Sequence, residues 1–163
     1  MLLTARILVA SKAGVPYEIG LRRRANSSRT FIKPTQKSRD SGVKHKHAPI
    51  KAVLEGKRVV VVDDSIVRGT NASKLVRMIR ETGAVEVHLR IACPPAISAC
   101  YYGVDIQSSE ELIATGKTVE EIRQLIGCDS LAFLSMENLK NSLGNGFCYG
   151  CLTKDYPIPP CDE

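Results

Sequence analysis

The order strand, helix, strand, helix, strand predicts an α/β fold, a parallel sheet flanked by helices. Three observations carry the prediction: the β-branched run Val59-Val60-Val61-Val62 shows no polar alternation, helical periodicity takes over between Asn71 and Thr82, and a second strand-like run follows from Val85 to Ala92. At 163 residues the chain is about one domain's worth. With 44% apolar and 25% charged residues, and no apolar run near the roughly 18 a membrane span needs, collagen, coiled-coil and transmembrane readings are excluded and a globular domain with no membrane partner is expected. The opening MLLTARILVA has Arg6 as its only basic residue and no small-residue cleavage site after it, so a secretory leader is a poor reading and a cytoplasmic location is expected.

Taken in order, Arg22 to Lys46 mixes Ser, Asn, Gly and Pro with ten basic side chains, His45 included, and reads as one long flexible polar loop, either a lid or disordered. Ile50 to Leu54 is a short apolar segment closed by Glu55-Gly56-Lys57. The valine run is expected to be buried on both faces. In the next segment Ala72, Leu75, Val76 and Ile79 share one helical face, and Gly83 supplies the stop. Pro94-Pro95 ends the second strand. Ser109–Ala114 and Thr118–Ile126 each open with a hydroxyl cap followed by acids, which predicts two helices. Leu131–Leu134 is a last strand, Glu137–Leu143 a short helix, and residues 144–163 form a Gly-, Cys- and Pro-rich tail. There is no internal repeat.

Charge divides the chain. Residues 1–51 carry a net +10 and residues 52–163 a net −4. Such a basic block attracts polyanions, either nucleic acid or a highly phosphorylated small molecule, or it is simply a solvated loop. Only Tyr17 and Phe31 interleave it, which is thin for nucleic-acid stacking, and nucleic acid is not expected as a partner.

Residues 59–70, VVVVDDSIVRGT, are the most informative segment. A strand there delivers Asp63 and Asp64 at its C-terminal end, where ligands of open α/β sheets bind. A tight turn and a helix start follow, and Gly69, the peptide amides and the Ser65 and Thr70 hydroxyls suit a phosphate. The GxxxxGK[ST] spacing of nucleoside-triphosphate loops is absent. Two acids beside such a cradle would repel its ligand unless they accept sugar hydroxyls or hold Mg²⁺, which prefers one or two carboxylates plus substrate oxygens. A ribose phosphate with a metal-bound diphosphate satisfies every group. The plainer alternative is an acidic pair that merely caps the helix.

This segment resembles the signature of phosphoribosyltransferases that bind phosphoribosyl pyrophosphate (PRPP). Together with AGVPYEIGL, RTFIKPTQKSRDSGVKHK, TGAVEVHLRIACPPA, YYGVDIQSSEELIATGKTVEEIRQLIGCDSLAFLSMENL and CYGCLTKDYP, it is similar to the glutamine amidophosphoribosyltransferases of purine biosynthesis from about Ala10 to Pro157. The resemblance implies a type I phosphoribosyltransferase-like sheet, N-terminally truncated. Residues 1–143 would be a partial transferase domain, with a lid loop at 22–46 and a PRPP loop at 59–70, and residues 144–163 a Cys-containing tail.

By the same resemblance, Asp63 and Asp64 bind Mg²⁺ and the ribose hydroxyls, and Ser65, Ile66, Val67, Arg68, Gly69 and Thr70 take the 5′-phosphate. Arg29, Lys44 and Lys46 stabilise departing pyrophosphate under the closed lid. Ammonia displaces pyrophosphate at the anomeric carbon. Cys100, Cys148 and Cys151 match three of four ligands of a 4Fe-4S cluster, with the fourth upstream of this chain; for the C-x-x-C pair itself zinc, or less readily a redox pair, stays open. Cys93 and Cys128 are expected to be buried apolar residues. Nothing corresponds to the family's glutaminase domain or its PDSG-type loop, and Asn26-Ser27-Ser28 stand where the family has Tyr-Val-Gly. The expected partners are therefore PRPP, a glutaminase domain or chain, an upstream transferase segment and, in the full enzyme, further copies. A non-catalytic PRPP-binding regulatory module or an inactive remnant is the alternative.

Overall fold

The computed structural model describes residues 10–23, 47–104, 106, 108–144 and 146–158. Among them, those up to Val59 together with Arg77–Glu86 form one compact unit, and Val60–Val76 together with the residues from Val87 onward form a second.

In the first unit, β1 (Leu21–Arg23) pairs antiparallel with β2 (His47–Pro49), with Leu21 opposite Pro49 and Arg22 opposite Ala48. This pair was not legible in the sequence. It takes Arg22 and Arg23 out of the expected loop, and residues 24–46 lie outside the described residues. Helix α1 (Lys51–Leu54) follows, and its buried Leu54 sits so close to Gly20 that a Cβ there would lie 2.8 Å from Leu54 Cδ2. The amide of Gly56 donates to the carbonyl of Gly83 and that of Val85 to the carbonyl of Lys57. Gly83 takes φ +105°, a positive value that glycine adopts without strain just past a helix end.

The sheet has the order β3 (Arg58–Asp63), β4 (Glu86–Ile91), β5 (Ser130–Phe133). β4 and β5 are parallel, with His88 opposite Ser130 and Ile91 opposite Phe133. Carbonyls of Lys57 and Asp63 accept from the amides of Val85 and Ala92, so residue numbers rise together and β3 is parallel to β4 as well. Helix α2 (Thr70–Glu81) is the crossover between them. These are the predicted elements in the predicted order.

Two expectations fail. The valine run is not buried on both faces: Val60 is 48% exposed, and Val59, Val61 and Val62 are only partly buried. The strand lies at the end of the described strand order. Ser109–Ala114 is not a helix but a single 3-10 turn, Ser109–Glu111, capped by Ser108. Leu112 is extended and buried, and the amide of Ile113 donates to the carbonyl of Val67 at 2.9 Å, so a tertiary contact takes the donor a helix would need.

Within the second unit, Ile66, Val76, Val87, Leu89, Ile91, Leu112, Ile122, Ile126 and Cys128 form the apolar interior. Helix α3 (Val119–Ile126) packs on β5 with Ile122 and Ile126 inward. Its start is a capping box: Thr118 Oγ1 accepts the Glu121 amide while the Glu121 carboxylate accepts the Thr118 amide. Helices α4 (Met136–Leu143) and α5 (Gly150–Thr153) complete the unit.

Candidate active site

The acidic pair lies where the strand reading puts it. Asp63 is the last residue of β3, and its carbonyl is held by the Ala92 amide at 3.0 Å. The Asp64 amide donates to Asp63 Oδ1 at 3.1 Å, and Asp64 Oδ1 accepts from the amide and hydroxyl of Ser65 at 2.7 and 3.3 Å. Asp64 and Ser65 are exposed. Asp64 thus uses one oxygen for both local bonds, a donor set that suits a hard cation with water and substrate oxygens in its remaining positions.

After this pair the chain makes a fixed loop. Ile66 is 7% exposed and anchors it, the Val67 carbonyl is held by Ile113, and the Gly69 carbonyl accepts from the Ser73 amide and hydroxyl at 2.9 and 3.2 Å to begin α2. Gly69 is required twice over. Its φ is +75°, and a Cβ there would lie 2.2 Å from Ile113 Cδ1. Among the described residues, no hydrogen bond satisfies the amides of Val67, Arg68, Gly69 or Thr70. Open amides just before and at the start of a twelve-residue helix are donors that an anion can use, and the helix dipole favours negative charge there. The Arg68 guanidinium is engaged elsewhere, with Nε and Nη2 both on Glu111 Oε2, the former at 2.9 Å.

Of the other predicted site residues, Arg29, Lys44 and Lys46 lie outside the described residues. The cysteines draw together in part. The Cys151 carbonyl accepts from the amides of Ile97 and Ser98 at 2.9 and 3.2 Å, and Tyr156 donates to the Ala99 carbonyl at 2.6 Å, docking the C-x-x-C turn on the segment that carries Cys100. Gly150 lets the Tyr156 ring lie across the turn, for a Cβ would meet it at 2.3 Å. The Cys100 thiol is pushed down by the amide of Tyr102 first, then by those of Val104 and Gly103, with Val104 N to Sγ at 3.4 Å. Burial, then Cys100 and Cys148, push the Cys151 thiol up. Amide donors on a sulfur are what a metal-bound thiolate needs, yet among the described residues no three Cys, His, Asp or Glu side chains converge closely enough to hold an ion.

Cys128 is buried as expected, whereas Cys93 is only half-buried. Its thiol is raised by burial first, then by Cys151 and Asp64. Glu111 and Ile113, which shape the loop, escaped the sequence reading because neither lies in the motif they support.

A parallel sheet whose first described strand ends in two acids and an anion-ready loop defines a phosphoribosyltransferase-like α/β domain. No family model matches the chain. It is 61% identical over 157 residues to amidophosphoribosyltransferase 2, chloroplastic, of Arabidopsis thaliana, covering 94% of this chain and 28% of that protein. It is 48% identical over 162 residues to the amidophosphoribosyltransferase of Bacillus subtilis, covering 95% of this chain and 34% of the relative. The solved glutamine PRPP amidotransferase from B. subtilis, complexed with ADP and GMP, superposes with a TM-score of 0.80 at 48% identity, over 94% of this chain and 35% of that one. Along nearly its whole length, then, the chain is a segment homologous to the amidophosphoribosyltransferases, and it spans about a third of the length of the relatives it matches. No described helix is long and apolar enough to cross a membrane.

Proposed function

We propose that this chain is the PRPP-handling part of an amidophosphoribosyltransferase, in which ammonia displaces pyrophosphate from PRPP to give 5-phosphoribosylamine. The observation that carries the reading is the run of open amides from Val67 to Thr70 directly after Asp63-Asp64 at a strand's C-terminal end. The amides and the Ser65 and Thr70 hydroxyls bind the 5′-phosphate, while Ile66 and Gly69 fix the loop against the interior. Asp63 and Asp64 take the ribose hydroxyls and hold Mg²⁺, which when bound neutralises charge on the leaving diphosphate. Arg29, Lys44 and Lys46 act on that diphosphate from the segment before β2. The ammonia comes from a glutaminase domain or chain, and the working enzyme is an oligomer. Its compartment is the cytoplasm, or the chloroplast if this chain follows the plant relatives, which bear that designation in their names.

Cys100, Cys148 and Cys151 supply three thiolates to a 4Fe-4S cluster whose fourth ligand comes from outside the chain. The support is the family likeness and the amide donors on Cys100. Anaerobic purification should give a brown protein only with a companion chain present, and a colourless one holding stoichiometric zinc would contradict the cluster.

The site is tested by binding. The Asp63→Asn, Asp64→Asn double variant should lose Mg-dependent PRPP binding by calorimetry while staying folded by circular dichroism. Retained Mg-dependent binding would remove the acidic pair from the site.

A further inference from the structure

We propose that Glu111 is a positioning residue for the Ser65–Thr70 loop: it holds the Arg68 side chain aside, so that the loop's main-chain amides rather than that guanidinium receive the anion. The inference rests on the phosphoribosyl reading of this loop and names what sets its shape.

Three contacts join the segment around the 3-10 turn to the loop. Arg68 places Nε and Nη2 on Glu111 Oε2, the Ile113 amide holds the Val67 carbonyl at 2.9 Å, and the Ile113 side chain fills the space a residue larger than glycine would need at position 69. The segment is itself anchored. Leu112 is 2% exposed, Ser109 Oγ accepts the Ala99 amide at 3.1 Å, and Thr115 donates to the Ser109 carbonyl at 2.5 Å. Glu111 therefore reaches Arg68 from a fixed support.

The consequence is mechanical. Loop amides left open for a ligand do not brace the loop themselves, and any freedom that remains at Arg68 must be lost on binding, which weakens affinity. The bond to Glu111 meets that ordering requirement beforehand. It also removes from the cradle a charged side chain with a conformational choice of its own, leaving donors that are fixed by the backbone.

The test uses the whole chain. Amide hydrogen exchange of residues 65–70 is followed without ligand, and Mg-PRPP affinity is measured by calorimetry, for the wild type, Glu111→Gln and the charge-swapped pair Arg68→Glu with Glu111→Arg. Glu111→Gln should speed loop exchange and weaken Mg-PRPP about fivefold, in line with a half-exposed Arg–carboxylate pair, without changing exchange in β4. The swapped pair should restore slow loop exchange. Unchanged loop exchange in Glu111→Gln overturns the proposal. So does a swapped pair whose loop still exchanges fast, since the ion pair would then not be what holds the loop. If the wild type binds no Mg-PRPP while Glu111→Gln still loosens the loop, the positioning role stands and the phosphoribosyl reading falls.

Discussion

Gly69 has no tolerable substitute, for two independent reasons. An alanine there would face a φ of +75° and a contact of 2.2 Å with Ile113 Cδ1. Backbone strain of order 1–3 kcal/mol, together with displacement of the loop, predicts that Gly69→Ala abolishes Mg-PRPP binding and lowers the chemical-denaturation midpoint. Adding Ile113→Ala should recover part of the stability, because it removes the clash, but not the binding, because φ stays wrong. Equal stability of Gly69→Ala and wild type would show that the loop is not held as described. The glycine and the acids were legible from spacing alone, since a strand end, two carboxylates and a tight turn leave few chemical uses. Ile113 and Glu111 were not, because a side chain that braces a loop from a distant part of the chain leaves no local pattern.

Among the elements, α3 followed its sequence most closely. Its Thr118–Glu121 box is local chemistry, and so was predictable to the residue. Thr118→Ala should cost about 1 kcal/mol in denaturant unfolding. The Glu120 carboxyl is held down to about 2 from its ordinary 4.5, by the Arg123 guanidinium first and then by Gln124, and Glu121 is lowered by Thr118. A carboxylate depressed in the folded chain stabilises above its unfolded value, and that contribution disappears as the pH falls through the folded one. Melting temperature should therefore drop between about pH 4.5 and 2, and Glu120→Gln should flatten part of the drop; an unchanged slope would dismiss the pairing. The elements that departed from expectation did so for tertiary reasons. The 3-10 turn at Ser109 stops because the Ile113 amide serves the Val67 carbonyl, and β3 leaves Val60 half-exposed where the unbroken valine run implies burial on both faces. At the middle of the sheet, where Leu89 is 2% exposed, pattern and burial agree, and Leu89→Ala should cost about 2–5 kcal/mol in denaturant unfolding.

For the molecule as a whole, the division of charge fits the division of labour proposed here. A net +10 over residues 1–51 favours a polyanion, and in the proposed function the acids at the end of β3 would hold its metal and sugar. The parallel sheet and the position of the acidic loop were readable because strand–helix–strand periodicity implies a parallel crossover. The β1–β2 pair was not, since three-residue strands leave no periodicity to read. The cysteine turn was legible as C-x-x-C, but its docking on residues 97–100 needed the fold. The measurement that bears most directly on the central claim is pyrophosphate release from Mg-PRPP by the purified chain, with and without ammonium at mildly alkaline pH. Ammonium-dependent release, lost in the Asp63→Asn, Asp64→Asn variant, is the predicted result. Mg-PRPP bound tightly with no pyrophosphate released under either condition would contradict catalysis by this chain and leave it a binding module.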